Sequence, residues 1–451
     1  MVACSGGRDS LSLAYALHLL RPEQVRVVHV NHQLQQPATD WANWLTEQCA
    51  TWHLPCQVSN VVVKAGNVEE QARKARYQAL FNALESNEIL VLGHHQQDQA
   101  ETVLLRLLSG SGVVGLSAMN LLETRQKPLS ASHKQREHYQ HQGLQNIQLW
   151  RPLLSCSREQ ITQLAMLICP DYIDDPANAL ENFDRVFLRQ QIWPLLSARW
   201  PSMDNSIGRT ATLMQDCGDI LNDVLHMDWQ RCVEQPNQEL LRSSVMSLAE
   251  LAQLSIARQR LLLSRWMQGK EQYAPAFHLV EQLREQLIEA RQDANPQITW
   301  QGWQFRRYQH KLYRLPKKLV VATDMQLDWP LQATIELPTG HWQWQQQAFG
   351  FSAQFMDYPW RLEARRGGEV LHLQGRVGHW LLKKCLQEAK IPPWQREQVQ
   401  LLFTGTQLLG VFTAQGFWVN QLQTLSKDNW VKDGWLPTLV HAPIQLDQKT
   451  H

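Results

Sequence analysis

Six residues, Ser5-Gly6-Gly7-Arg8-Asp9-Ser10, combine two glycines, two hydroxyls and one acid. Glycines let a backbone approach a polyanion closely. A helix starting behind them offers unbonded N–H groups and a positive dipole end. Ser5 and Ser10 add hydroxyl donors. Asp9 is the discordant member, because a carboxylate repels phosphate unless a cation lies between them. Mg2+ is the expected cation, with Asp9 as its ligand. The plainer alternative is a Gly-Gly turn ahead of an acidic helix start.

A second cluster is His94-His95-Gln96-Gln97-Asp98-Gln99-Ala100-Glu101-Thr102. Asp98 and Glu101, three apart, share one helical face, with His94 one turn earlier. The opposite stripe is apolar, so the acids are expected to face a crevice or solvent. An acidic helix start favoured by the macrodipole explains the same residues, and a His/Asp/Glu metal site is a third option. Arg73, Lys74, Arg76 and Tyr77 form a basic cluster, which alone reads as a solvated face. Asp175-Pro176-Ala177-Asn178 is followed by Arg185 and Arg189, four apart, which could clamp phosphate or be ordinary helix-surface charges.

Gly110-Ser111-Gly112-Val113-Val114-Gly115 matches a dinucleotide fingerprint in letters only, because a helical stripe precedes it where a strand is required. Residues 361–396 carry Arg361, Arg365, Arg366, Arg376, Lys383, Lys384, Lys390 and Arg396 against Glu363, Glu369 and Glu388. That local excess of five positive charges, interleaved with Trp380 and Ile391-Pro392-Pro393-Trp394, suits a folded RNA or a solvated basic face.

The elements that must position these groups alternate through the first 110 residues. Met1–Cys4, Val25–Val30, a run ending at Val61–Val63 and Ile89–Gly93 read as strands. Leu11 to Leu20, Trp41 to Trp52, a helix capped by Asn67 and Glu70, and Ala100 to Leu108 have helical period. Such alternation implies βαβ units and a parallel sheet. Thr124 to about Asn146 is polar, without apolar period, and reads as a mobile loop. Ser157 with Gln160 caps a further helix, residues 205–291 are mostly helical, and the chain from about Ile298 is β-rich or mixed.

Composition bounds the rest. At about 150 residues per domain, 451 residues suggest roughly three domains. A hydrophobic share of 44% excludes wholesale disorder. Lys+Arg 43 against Asp+Glu 42 leaves a net charge of +1, which excludes nucleic-acid binding by gross charge. No apolar run approaches a membrane span, and the start lacks a basic-then-apolar signal pattern. The eight cysteines form no C-x-x-C pair, so a disulfide scaffold and a zinc ribbon are disfavoured and a reduced, cytoplasmic setting is expected.

Together these motifs resemble the tRNA(Ile)-lysidine synthetase family, within the PP-loop ATP pyrophosphatases. Ser5–Ser10 looks like the PP-loop itself, and Val28-His29-Val30-Asn31-His32 like the second-strand motif. Arg73 with Arg76-Tyr77, Gly93–Thr102, Ser109–Met119, Arg151-Pro152-Leu153-Leu154 and Asp175–Arg189 look like further family segments in family order. Arg365-Arg366-Gly367-Gly368-Glu369, Lys383-Lys384 and Ile391–Arg396 resemble its terminal domain.

The resemblance implies an α/β chain with an N-terminal parallel-sheet PP-loop ATPase domain of the adenine nucleotide α-hydrolase kind. A helical middle domain and a small mixed α/β C-terminal domain would follow. The expected bounds are 1–204, 205–297, a connecting region 298–345, a tRNA-binding domain 346–440 and a tail 441–451. The implied activity is ATP-dependent ligation of lysine to carbon-2 of the wobble cytidine of tRNA(Ile) with a CAU anticodon, through an adenylated cytidine. Ser5, Gly6, Gly7, Arg8, Asp9 and Ser10 would bind ATP, with Asp9 near Mg2+. Asp98 and Glu101 would take the lysine ammonium or help deprotonate it, since an amine of pKa about 10.4 must lose a proton before attack. Arg76, Arg185 and Arg189 would steady phosphates or the adenylated base, and Arg365, Arg366, Lys383, Lys384 and Arg396 would contact tRNA.

Free L-lysine, the tRNA and a second copy of the chain are the expected partners. Gln97, Ser109 and Val186 depart from residues common in the family, so no charge is assigned at Gln97. Relatives generally carry more residues before the loop, so a natural start upstream of Met1 is expected. A PP-loop tRNA thiolase and a non-catalytic RNA-binding protein are the competing functions. The thiolase usually needs paired cysteines, and the intact loop with its acids argues against the non-catalytic protein.

Overall fold

The computed structural model describes residues 1–33, 37–63, 68–128, 144–168, 171–173, 184–234, 244–271, 274–288, 297–357, 359–373, 378–420 and 429–441. Its contacts divide it into two compact units, Met1–Asn222 and Asp223–His451.

The first unit is built on a six-stranded sheet. Its strands are β1 (Val2–Ala3), β2 (Val27–Asn31), β3 (Cys56–Asn60), β4 (Ile89–Leu92), β5 (Leu122–Pro128) and β6 (Leu144–Trp150), in the order β3-β2-β1-β4-β6-β5. All pairs are parallel except β5 with β6. The helices are α1 (Arg8–Leu20), α2 (Ala38–Thr51), α3 (Val68–Ala83), α4 (Gln96–Leu108), α5 (Val113–Leu116) and α6 (Arg158–Ile168).

Alternate strand residues serve opposite faces, as the pleat requires. Val2 and Val27 join Leu11, Leu13, Leu45, Cys49 and Ile161 in one buried cluster. Met1, Val28, Leu90 and Leu92 join Tyr77 and Leu80 in another. Both faces are therefore covered, which is why these strands read as apolar runs. The order changes direction beside β1, so a crevice opens at the carboxyl ends of β1 and β4.

Two sequence expectations are corrected. The third strand is Cys56–Asn60, and Val61–Val63 lie beyond it. The polar stretch from Thr124 is not wholly loop, because 122–128 and 144–150 pair as an antiparallel edge hairpin. Backbone bonds hold it, together with a Gln148 to Thr124 side-chain bond of 2.9 Å. The Glu123 carboxylate accepts from buried Arg151 at 2.7 Å. An edge strand needs little apolar period, so the pattern was silent there. The Ser157–Gln160 cap forms as expected, with bonds of 2.9 and 3.2 Å. Residues 129–143 and the Asn67–Glu70 cap lie outside the described residues or side chains.

The unit continues through α7 (Asp184–Phe187), a five-residue π-turn (Leu188–Ile192) and α8 (Trp193–Arg199) into α9 (Met203–Cys232), whose residues from Asp223 onward belong to the second unit. Leu188, Trp193 and Met203 bury against Ala100, with Leu104 packed beside them. This packing lays the 184–199 segment on α4.

The second unit carries β7 (Ser244–Ser247), α10 (Leu248–Ala252), α11 (Ile256–Gln268), α12 (Phe277–Leu283), β8 (Gln297–Trp300), β9 (Trp303–Tyr308) and β10 (Lys311–Pro316). Ile298, Trp303, Phe305 and Leu312 share one core with Met246, Leu262, Leu263 and Trp266. The strands at 297–316 thus pack with the helices before them.

After these come β11 (Met325–Leu327), β12 (Thr334–Leu337), β13 (Gly340–Phe351), β14 (Trp360–Ala364), β15 (Val370–Leu371), β16 (Trp380–Leu381), α13 (Leu382–Glu388), α14 (Pro393–Arg396), β17 (Gln400–Thr404), β18 (Gln407–Thr413), β19 (Gly416–Val419), β20 (Trp430–Lys432) and β21 (Trp435–His441). This part is mostly antiparallel sheet around an aromatic core of Trp329, Trp342, Trp344, Phe351, Trp360 and Phe412. No helix among the described residues is long and apolar enough to cross a membrane.

Candidate active site

The loop after β1 is shaped by two glycines. Gly6 has a φ of +86°, and a Cβ there would stand 2.4 Å from the Ile173 side chain. Its carbonyl accepts from Ile173 N–H at 3.0 Å. At the end of β4, a Cβ on Gly93 would stand 3.1 Å from the Cα of Ser10, so that glycine lets the second strand end approach the loop. Ser10 Oγ accepts from Ser5 N–H at 3.1 Å and donates to the Gly7 carbonyl at 3.1 Å. The serine hydroxyls therefore brace the loop. Gly7 caps α1 without a side-chain bond, and the first intrahelical bond runs from Leu11 N–H to Gly7 at 3.0 Å. The amides of Arg8 to Ser10 precede that bond, which is the arrangement that receives an anion at a helix start.

Asp9 sits on the first turn of α1. Arg8 Nε donates to its Oδ1 at 2.8 Å, and Arg8 also donates to Thr162 Oγ1 at 2.9 Å. His95 Nε2 lies 3.5 Å from the other oxygen of Asp9 and 3.6 Å from Asp98 Oδ2. Burial pushes the Asp9 carboxyl up, but the bond to His95 and the charge of Arg8 outweigh it, holding it below the ordinary carboxylate value.

His95 is also the N-cap of α4. Its Nδ1 accepts from Gln97 N–H at 3.2 Å, and Asp98 Oδ2 accepts from His95 N–H at 3.0 Å. This reciprocal capping box fixes Asp98. Burial raises the Asp98 carboxyl, and the imidazoles of His95 and His94 with Arg185 overcome it, so its pKa is lowered.

Glu101, one turn on, has no solvent exposure. Arg185 Nε donates to one of its oxygens at 3.0 Å, and Arg189 Nε to the other at 2.5 Å. Arg189 also donates to Asp98 Oδ1 at 2.8 Å, and Arg185 to Thr102 Oγ1 at 3.0 Å. The acids expected to face a crevice or solvent are thus matched with arginines from the segment packed on α4. Arg76 lies within electrostatic reach of Arg185, His94 and His32, and burial followed by Arg73 and Arg185 lowers its pKa. Sequence reasoning listed His95 without giving it a role. Its position as N-cap at a strand end, three residues before Asp98, was the available signal.

The structure therefore gathers Asp9, Asp98, Glu101, Arg185 and Arg189 at the carboxyl ends of β1 and β4, with Arg76 beside them. Asp175–Asn178 lies outside the described residues.

Residues 1–196 match a family model described as the PP-loop domain, residues 246–313 one described as the TilS substrate binding domain, and residues 360–432 one described as the TilS substrate C-terminal domain. A tRNA(Ile)-lysidine synthase of Acinetobacter baylyi is 41% identical over 446 residues, covering 98% of this chain and 90% of the relative. The chain belongs to the tRNA(Ile)-lysidine synthase family. Another synthase of this family, from Serratia proteamaculans, is 33% identical across 92% of this chain and 91% of its own. Among solved structures, a U34-tRNA thiolase from Methanococcus maripaludis is similar at 19% identity and a TM-score of 0.36, over 48% of this chain and 71% of that one.

The basic residues of the family's C-terminal domain are not equivalent. Arg365 lies 3.5 Å from Glu369, and Arg366 2.6 Å from Asp324. Lys383 and Lys384 are exposed on α13 and make no ion pair with a described residue. Arg396 is half-buried and turned inward: it donates to the Ile391 carbonyl at 2.7 Å and to Tyr308 Oη at 3.3 Å. Arg376 lies outside the described residues.

Proposed function

We propose that this site joins the ε-amine of lysine to carbon-2 of the wobble cytidine of tRNA(Ile) with a CAU anticodon, consuming ATP and releasing AMP and pyrophosphate. The chain is a ligase that forms a carbon–nitrogen bond, as its family relatives are. The observation that carries the assignment of roles is the contiguous network Asp9–His95–Asp98–Arg189–Glu101, which begins on the PP-loop helix and ends on α4.

In this reading the Ser5–Ser10 loop receives the ATP phosphates at the open amides of α1. Arg185 and Arg189, held in place by Glu101, present their remaining guanidinium donors to phosphate oxygens or to the adenylated base. Arg76 adds a third cation. Asp98 is the acid that meets the lysine ammonium.

Mg2+ suits Asp9, because this cation is held by one or two carboxylates plus substrate phosphates rather than by a full protein cage. When bound, Mg2+ would neutralise phosphate charge beside Asp9. The exposed Lys383 and Lys384 contact tRNA backbone, and Arg365 and Arg366 line the same domain. The testing experiment is base analysis of tRNA(Ile) incubated with protein, ATP and labelled lysine. Label in a modified wobble cytidine is expected, and pyrophosphate release independent of lysine and tRNA would overturn the reading.

A further inference from the structure

We infer that Arg396 and Trp394 are positioning residues, which lock the C-terminal domain onto the β9–β10 sheet instead of touching tRNA. The inference rests on the tRNA reading above. Pro392 and Pro393 fix the entry to α14, with Pro392 extended as N-cap and Pro393 at the first helical position. The turn drives the Trp394 ring, 2% exposed, against the neighbouring sheet. There it stands edge-on to Tyr308 on β9 at 6.0 Å and to Tyr313 on β10 at 5.0 Å, with the Arg306 guanidinium 5.6 Å from its centre. Edge-to-face geometry of this kind is the favourable arrangement for aromatic pairs.

Arg396 closes the same contact. Its bond to Ile391 braces the turn it follows, and its bond to Tyr308 crosses to β9. The next residues continue the seam. Glu397 carbonyl accepts from Ala322 N–H at 3.3 Å, Gln398 donates to Val320 at 3.2 Å, and Gln400 donates to Thr323 at 3.1 Å. Residues 391–400 are therefore stitched to the chain between 306 and 323. An arginine serving phosphate would point outward, as Lys383 and Lys384 do.

β9 and the first half of β10 lie within the matched substrate-binding model, and α13 and α14 within the C-terminal one. A large RNA that touches both binds more tightly when their spacing is fixed beforehand, because ordering them is not charged to the encounter.

Steady-state kinetics of Arg396→Gln, Tyr308→Phe and their double variant test this on the full chain. Each single change is expected to raise the tRNA KM, roughly tenfold for loss of a bond to a charged group, with kcat and the ATP KM unchanged. The double variant is expected to be no worse than Arg396→Gln alone, because both remove one interaction. The salt dependence of tRNA binding should keep its slope. Trp394→Ala should show the same KM-against-kcat split, and Tyr308→Phe preserves the test if that variant does not fold. A slope reduced by about 1 in Arg396→Gln, with Tyr308→Phe silent, would mean a phosphate contact and overturn the lock. If Lys383 and Lys384 variants weaken tRNA while the lock variants do not, only the lock fails. If the lysine variants also change nothing, the tRNA reading of this domain fails.

Discussion

The carboxylate of Glu101 meets the guanidinium of Arg189 at 2.5 Å, and the glutamate has no exposure to solvent. The partners come from helices 88 residues apart in sequence, so the contact joins α4 to the segment that packs upon it. Breaking a buried pair from one side costs about 3–5 kcal/mol. Arg189 and Arg185 are about one-third exposed, at 36% and 30% of their side chains, so the low end applies. Glu101→Gln is expected to lower the denaturant midpoint by about 3 kcal/mol of stability without changing the slope, and to release Arg185 and Arg189. An unchanged midpoint would remove the pair from the framework of the site.

Asp98→Asn should spare ATP binding and raise the lysine KM or stall an adenylate. One charge-assisted bond is worth about 1.5–3 kcal/mol, or at least about tenfold in KM. Wild-type lysine kinetics would leave Asp98 with its capping role alone.

Asp9→Asn is expected to weaken ATP binding only when Mg2+ is present, and to lose adenylation. Arg8 already supplies a cation to Asp9, so the variant should bind metal-free ATP as well as the parent. Titrations of ATP with and without Mg2+ decide it, and equal loss in both would assign Asp9 to the loop rather than to the metal.

His94 predicts a pH dependence of stability. Burial pushes its imidazole down to about 3, opposed by Asp98 and reinforced by Arg151, Arg185 and Arg76. The folded ring stays neutral while the unfolded one takes a proton below about 6.5. The unfolded state then binds more protons, so stability falls as pH drops from about 6.5 toward 3, by up to about 1.4 kcal/mol per pH unit. His29 and His32, lowered chiefly by burial, act in the same direction. His94→Gln should make the slope between pH 6.5 and 5 shallower. Parallel curves for the two proteins would contradict it.

Alanine at both Lys383 and Lys384 should weaken tRNA(Ile) and tRNA(Met) alike, since phosphate contacts fix register without carrying sequence information. The salt slope should fall by about 1 per lost contact, while ATP binding survives. Affinity measured across a salt series checks this, and an unchanged slope would make the pair a solvated face.

Much of the first unit was legible because helical and strand periods are local. The alternation of Val2, Val27 and Val91 with helical stripes reports a sheet covered on both faces, and a sheet of that kind places its site at strand ends. The spacing of Asp98 and Glu101 reported a shared face, but not its occupants. Arg185 lies 84 residues from Glu101 in sequence, and no local pattern announces such a pairing. The edge strand β5 was missed because it is held by backbone bonds and polar pairs, which leave no apolar period. Arg396 looked like its basic neighbours because its direction is decided by Tyr308, a partner equally remote.

The aromatic core of the second unit also decides how this protein reports on itself. Trp329, Trp342, Trp344 and Trp360 are buried in one cluster, and Trp266, Trp303 and Trp394 are buried elsewhere in the same unit. Intrinsic fluorescence and near-ultraviolet dichroism will therefore be weighted toward the second unit, which holds 13 of the 19 tryptophans. The first unit keeps six tryptophans, with Trp193 buried among them, so its unfolding overlaps in those signals and is better separated with a label on the exposed Cys217 or by amide exchange.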